Sequence, residues 1–300
     1  MTGSSPRIYK RPLAHTEHPD EYCIGGLAPV YLGDVLAGRY KIFRKLGHGS
    51  QSTVWLARDL RCSKCVAVKV PTAVDCHVLE PSHHPNTSSL LDRFVLESPN
   101  GKHECIVLEP LGRTLRAVID QSLEIKFGSD DSGEYYARYN PHHWTIALAR
   151  DFCRQVIIAL DSLHSQGTAH RDVQPGNIAM ALSYDIDSRS MDEIQQEGAW
   201  YSDLVPSDET DDWDAKNLKA LGEDIAWVQR LDEKPLDPTE IQYTVRASPL
   251  HDEIVFDDSQ PFRAVLFDFG FSRRFEDCDH PLTQVDNYRP PEAILPTTVT

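Results

Sequence analysis

The chain has 300 residues, 40% of them hydrophobic and 25% charged, with 46 acidic against 30 basic side chains and a formal net charge of −16. That is enough apolar material for the core of one two-lobed unit or two small domains, and no apolar run approaches membrane-spanning length. The opening MTGSSPRIYKRP has no secretory apolar stretch, and seven irregularly spaced cysteines argue against a disulfide framework, so an intracellular protein of cytoplasm and/or nucleus is expected, without a membrane partner.

Residues 1–38 read as an N-terminal extension. YKIFRKLGHGSQSTVWLARD follows as two strands, Tyr40 to Leu46 and Thr53 to Asp59, joined by a turn containing Gly47 and Gly49. Without side chains at these positions, a turn can lay backbone N–H groups over an anion such as a phosphate. CVAVKV, Cys65 to Val70, is an apolar strand interrupted by Lys69. A lysine buried there needs an anionic partner. The alternative is an edge lysine facing solvent. Cys62 and Cys65 form a CxxC without the second pair that a zinc site requires, and His83, His84, His142 and His143 read as loop residues.

Further strands are expected around Leu90 to Val95 and from Gly101 toward Gly112, then a helix from Thr114 to Ser122. From Thr145 to Gln166, Leu148, Phe152, Val156, Leu160 and Leu163 recur every three or four residues, the apolar stripe of a buried helix that Gly167 ends. HRDVQPGN then sets Asp172 and Asn177 five residues apart in one loop. From Asn177 to Asp268 is 91 positions, far longer than a hairpin needs. Between Ala181 and Arg263 lie 21 acidic and 7 basic residues, a net of −14, so nearly all of the excess acid sits in this insertion. Its composition suggests part disorder and part short helices, for instance Asp211 to Arg230. It could attract a basic substrate or serve as a solvated spacer. AVLFDFG places Asp268 at the end of an apolar run, and YRPPEAIL, Tyr288 to Leu295, follows.

In this order the motifs resemble those of protein kinases: VAVK on the third strand, HRDVQPGN as the catalytic loop, DFG at Asp268, and YRPPE as the segment that closes the activation loop. The glycine turn carries Ser52 where the kinase pattern has a third glycine. Within the superfamily, HPDEYCIGGLAPV and the STVW at Ser52 to Trp55 resemble the SR-protein kinases, serine/threonine kinases acting on arginine/serine-rich splicing factors. NGKHECIVLEPLG, ending at Gly112, resembles their fifth strand and hinge.

The resemblance implies an α+β, protein-kinase-like two-lobed fold. A small β-rich N-lobe would span 39–111, and 112–300 would form a partial helical C-lobe carrying the acidic insertion at about 181–263. It implies an ATP- and Mg2+-dependent protein serine/threonine kinase. Asp172 would be the base, Asn177 and Asp268 would hold magnesium, and Lys69 would contact the phosphates. Leu46, Gly47, His48, Gly49, Ser50, Val54, Ala67, Glu109, Leu111 and Asp268 would complete the nucleotide site. The implied partners are ATP and a protein substrate of Arg/Ser-rich type, with a monomeric enzyme and no direct nucleic-acid contact.

Three features depart from the pattern. VDCHVLE, ending at Glu80, is a short stretch where a helix with a Glu for Lys69 is expected; Gln174 stands where a lysine is usual; and the chain ends at Thr300, eight residues past Glu292. They keep open a second reading, a pseudokinase or non-catalytic binding module that retains the fold. A small-molecule kinase of the aminoglycoside type would not need YRPPE after DFG.

Overall fold

The computed structural model describes residues 8–10, 16–74, 84–123, 125–129, 135–139, 145–190, 194, 225–250, 262–277 and 288. The chain begins with β1 (Val35–Leu36), β2 (Tyr40–Gly49), β3 (Ser52–Asp59), β4 (Lys64–Pro71), β5 (Leu90–Ser98) and β6 (Gly101–Leu108). There follow β7 (Leu111–Thr114), α1 (Leu115–Leu123), β8 (Ile125–Ser129), β9 (Tyr135–Tyr139), α2 (Ile146–Ser165), β10 (Thr168–Ala169) and β11 (Ile178–Ala181). β12 (Ile225–Trp227), β13 (Tyr243–Val245), β14 (Ala264–Leu266) and β15 (Arg273–Arg274) complete the strands. Among the described residues no helix is long and apolar enough to cross a membrane.

Two compact units result: Met1–Cys76 with Leu90–Pro110 and Asp185–Leu250, and His77–Ser89 with Leu111–Tyr184 and His251–Thr300. One segment of the first unit ends at Pro110, and the second unit resumes at Leu111. The 1–38 extension is not separate from the β-rich part, however, and 185–250 of the insertion group with the first unit rather than with the helical one.

The first unit is built on an antiparallel sheet in the order β1-β2-β3-β4-β6-β5. Side chains alternate across a strand, so register decides which residues share a face. Lys45 pairs with Trp55, Trp55 with Val68, and Val68 with Val107, which puts these four on one face. Leu56 with Ala67, Val54 with Lys69, and Lys69 with Ile106 lie on the other. The first face is the core. Ile42, Trp55, Ala57, Val66, Val68, Val70, Cys105 and Val107 pack there against Ala28, Val30, Leu32 and Leu36 of the extension. Ile225, Tyr243 and Val245, from the β12–β13 hairpin of the insertion, join the same cluster.

Residues 225–230, the end of the helix expected over Asp211 to Arg230, are thus strand and strand exit, while 211–224 lie outside the described residues. The strand wins because Ile225 and Trp227 pair antiparallel with Val245 and Tyr243 and Ile225 is buried in the sheet's core, a context that outweighs helical spacing. The paired glycines of the extension have a packing reason. Gly25 has φ +85 and donates its N–H to Asn100 O, and a Cβ at Gly26 would stand 2.2 Å from Glu21 O.

In the second unit α2 starts at Thr145, whose Oγ1 accepts the Leu148 N–H at 3.2 Å, and ends at Gln166, before Gly167 at φ +70. Phe152, Ala159 and Leu163 pack on Ile178 and Met180 of β11 and Ala264 and Leu266 of β14. Gln155 Oε1 accepts from Ala264 N and Asn86 Nδ2, each at 2.9 Å, so the one polar group of the stripe ties the helix to β14. β11 lies between β14 and β7. Beyond β14, Thr87 forms a parallel bridge to Leu266, with Leu266 N donating to Asn86 O and Ser88 N to Leu266 O. The stretch expected to hold the short helix ending at Glu80 lies, over 75–83, outside the described residues.

Candidate active site

The loop from His170 to Asn177 connects β10 to β11 and is held from its own ends. His170 Nδ1 accepts from Asp172 N at 3.3 Å and Nε2 donates to Phe267 O at 3.0 Å, partners that assign a neutral Nε2–H imidazole. Its ring lies 5.1 Å from that of Phe269. Phe267 N donates to Asn177 O at 3.0 Å. Phe267 is therefore bonded to both ends of the loop, and Asp268, the next residue, is carried at the loop's side by β14.

The Asp172 carboxylate is buried and oriented by two neutral amides. Gln174 Nε2 reaches Oδ1 at 3.1 Å and Oδ2 at 3.0 Å, while Asn177 Nδ2 donates to Oδ2 at 2.7 Å and to Asp172 O at 2.9 Å. With its nitrogen committed to Asp172, Asn177 presents Oδ1 as its remaining polar atom. Asp268 adopts φ +63 and accepts from Gly270 N at 3.3 Å, and Arg171 has φ +68. Left-handed backbone at two non-glycine residues is a cost of the kind concentrated at functional sites. Asn177 Oδ1 and the Asp268 carboxylate are hard oxygen donors that suit a magnesium ion. Among the described residues there is no cluster of three or more His, Cys, Asp or Glu side chains fit for a metal.

In the first unit Leu46, Gly47, His48, Gly49 and Ser50 lie at the end of β2 and the turn into β3, with Gly47 opposite Val54 and Gly49 opposite Ser52. A Cβ at Gly47 or Gly49 would meet nothing within 4 Å, and neither has a positive φ, so nothing within the chain requires glycine there. Val54, Ala67 and Lys69 share the sheet face opposite the core, and Lys69 is half-buried. Glu109 belongs to the Leu90–Pro110 segment of the first unit and Leu111 to the Leu111–Tyr184 segment of the second.

The deeply buried lysine of this sheet is Lys45, at 0% exposure, and the demand for an anion argued for Lys69 is met there. Lys45 Nζ donates to Glu17 Oε2, Tyr22 OH donates to Glu17 Oε1, and Lys45 lies 5.3 Å from the centre of the Trp55 ring. Burial alone would raise the Glu17 pKa, but the Lys45 charge and the hydrogen bonds from Lys45 and Tyr22 outweigh it and hold it below 4.5. Burial depresses Lys45, against the opposing pull of Glu17, and burial together with the Glu17 charge pushes Tyr22 well above its usual value. The register shift between Ile42 and Arg44 breaks the alternation of β2 and turns Lys45 to the core face, and no local signal marked Glu17 as its partner.

An Asp oriented by the Asn of its own loop, beside a second Asp carried after a short apolar strand, is the arrangement that the protein-kinase pattern puts in its catalytic loop and DFG element. No family model matches the sequence. The chain is 32% identical over 190 residues to protein kinase dsk1 of Schizosaccharomyces pombe, covering 57% of this chain and 32% of that protein. It is 35% identical over 184 residues to SRSF protein kinase 3 of Homo sapiens, covering 55% and 30%. With the serine/threonine-protein kinase spk-1 of Caenorhabditis elegans the identity is 33% over 186 residues, covering 56% and 17%. A solved kinase domain is 19% identical, with a TM-score of 0.48 over 88% of this chain and 60% of that one. The similarity is thus to SR-protein kinases, and the chain spans about a third or less of the length of these relatives.

Proposed function

We propose that the chain is an ATP-dependent protein serine/threonine kinase acting on Arg/Ser-rich protein substrates. The observation that carries this reading is the Asp172 carboxylate, buried yet oriented by Gln174 and Asn177. A carboxylate so held can orient a substrate hydroxyl and accept its proton as the γ-phosphoryl group is transferred. Asn177 Oδ1 and Asp268 would hold magnesium, which neutralises phosphate charge when bound. Lys69 and the backbone of the glycine turn would contact the phosphates, with Leu46, Val54, Ala67, Glu109 and Leu111 around the base. Gln174 can donate hydrogen bonds but adds no charge to the transferring group.

The test is radiolabelled phosphate incorporation into an Arg/Ser-rich protein. Asp172→Asn is expected to lower transfer by about 10²–10⁴-fold with ATP affinity nearly intact, and Asp268→Ala to lose magnesium-dependent nucleotide binding. If the unaltered chain, folded and ATP-bound, transfers no more than Asp172→Asn does, the non-catalytic reading replaces this one.

A further inference from the structure

The two residues that lead β2 into the glycine turn are gripped by segments far away in sequence. Arg44 Nε donates to Ser248 O at 2.7 Å, and Nη2 to Ser248 Oγ at 2.8 Å and Pro249 O at 3.0 Å. Its Nη1 reaches Ile194 O at 3.3 Å. Ser248 N returns a bond to Lys45 O at 2.8 Å, while the Lys45 side chain passes to the other face and is held by Glu17. Ile194 and Leu250, on either side of the long stretch of insertion, are both buried at 2% exposure. Asp187 Oδ1, near the start of the insertion, accepts the Cys65 N–H of β4 at 2.6 Å. Part of the acidic insertion is thus anchored onto the sheet, at the residues directly before Leu46.

We propose that the insertion is a clamp on the glycine turn. Through Ser248 and Arg44 it holds the middle of β2, so that the docking of residues 194 and 248–250 sets the mobility of residues 46–52 and the affinity for nucleotide. Arg44 and Ser248 act as positioning residues. A hairpin tip is restrained mainly by its strand stems, and this stem is fixed by a guanidinium fork whose bonds carry a full charge. The claim on affinity rests on reading the turn as a nucleotide site; the claim on mobility does not.

The test is amide hydrogen exchange of the full chain without nucleotide, followed by titration with magnesium-ATP. Arg44→Ala should speed exchange of the 46–52 amides by about tenfold while α2 amides are unchanged, and weaken magnesium-ATP several-fold. Arg44→Lys keeps the charge without the fork and should fall between. Ser248→Ala removes one hydroxyl acceptor and keeps the variant set informative if Arg44→Ala does not fold; it should give a smaller shift in the same segment. Unchanged exchange over 46–52 in the folded variants overturns the clamp whatever the chain does with ATP. Faster exchange in a chain that never binds ATP upholds the mobility claim and overturns the claim on affinity, together with the nucleotide reading.

Discussion

The His170–Asn177 loop and the middle of β2 both carry polar constellations, but they are assembled in opposite ways. In the loop, the groups that touch the Asp172 carboxylate belong to residues within five positions of it. At the middle of β2, Glu17, Tyr22, Arg44, Lys45 and Ser248 come from three segments spanning most of the chain. A site written in consecutive residues is held by local geometry and survives small disturbances elsewhere. A site assembled from distant segments exists only when the whole unit has folded, so each of its members is also a stability determinant.

The largest expected effect would break the assembled site. Glu17→Ala leaves Lys45 buried without its carboxylate and should destabilise the first unit by about 3–5 kcal/mol in denaturant unfolding, whereas the double variant Glu17→Leu with Lys45→Met should recover most of that loss. Additive losses in the two single variants and the double would show that the pair is not coupled.

Next in size, Asn177→Ala removes both amide bonds to Asp172 and should cost about 1–3 kcal/mol, with the cost confined to the second unit. Hydrogen exchange that loosened both units equally would contradict the local character claimed for the loop.

Acid should weaken the first unit in two stages. Burial depresses the His103 pKa below 6.5. Its Nδ1 donates to Pro71 O at 2.7 Å and its Nε2 accepts from Ser98 Oγ at 2.8 Å, so the folded state holds it neutral. The folded first unit therefore binds fewer protons than the unfolded chain, and its stability falls as pH drops below 6.5. Glu17, also depressed, adds stability that is full above pH 4.5 and is lost as pH falls through its folded value. Melting temperature against pH should show both stages, and His103→Gln should lack the first.

The smallest effect is the most local. Thr145→Ala removes the cap of α2 and should cost about 1 kcal/mol, read as a small shift in urea midpoint without change in slope. A cost several times larger would mean that the helix start is held by tertiary contacts.

What the sequence determined by itself were the features whose causes lie within a few residues. The β2–β3 hairpin and β4 follow from apolar strand runs around a glycine turn, α2 from a stripe bounded by Thr145 and Gly167, and the His170–Asn177 loop from its own eight residues. Only the tertiary structure decided which lysine is buried. Lys45 and Lys69 both interrupt apolar strands, and the face each takes follows from register across four strands and from what covers the sheet. It also decided that Ile225 to Trp227 form a strand, because their partner strand lies at 243–245 and the core they fill belongs to residues 28–107. Contacts closed over such sequence distances leave no periodicity to read, since the partner that satisfies a buried charge or an apolar face is chosen by the fold and not by its neighbours in the chain.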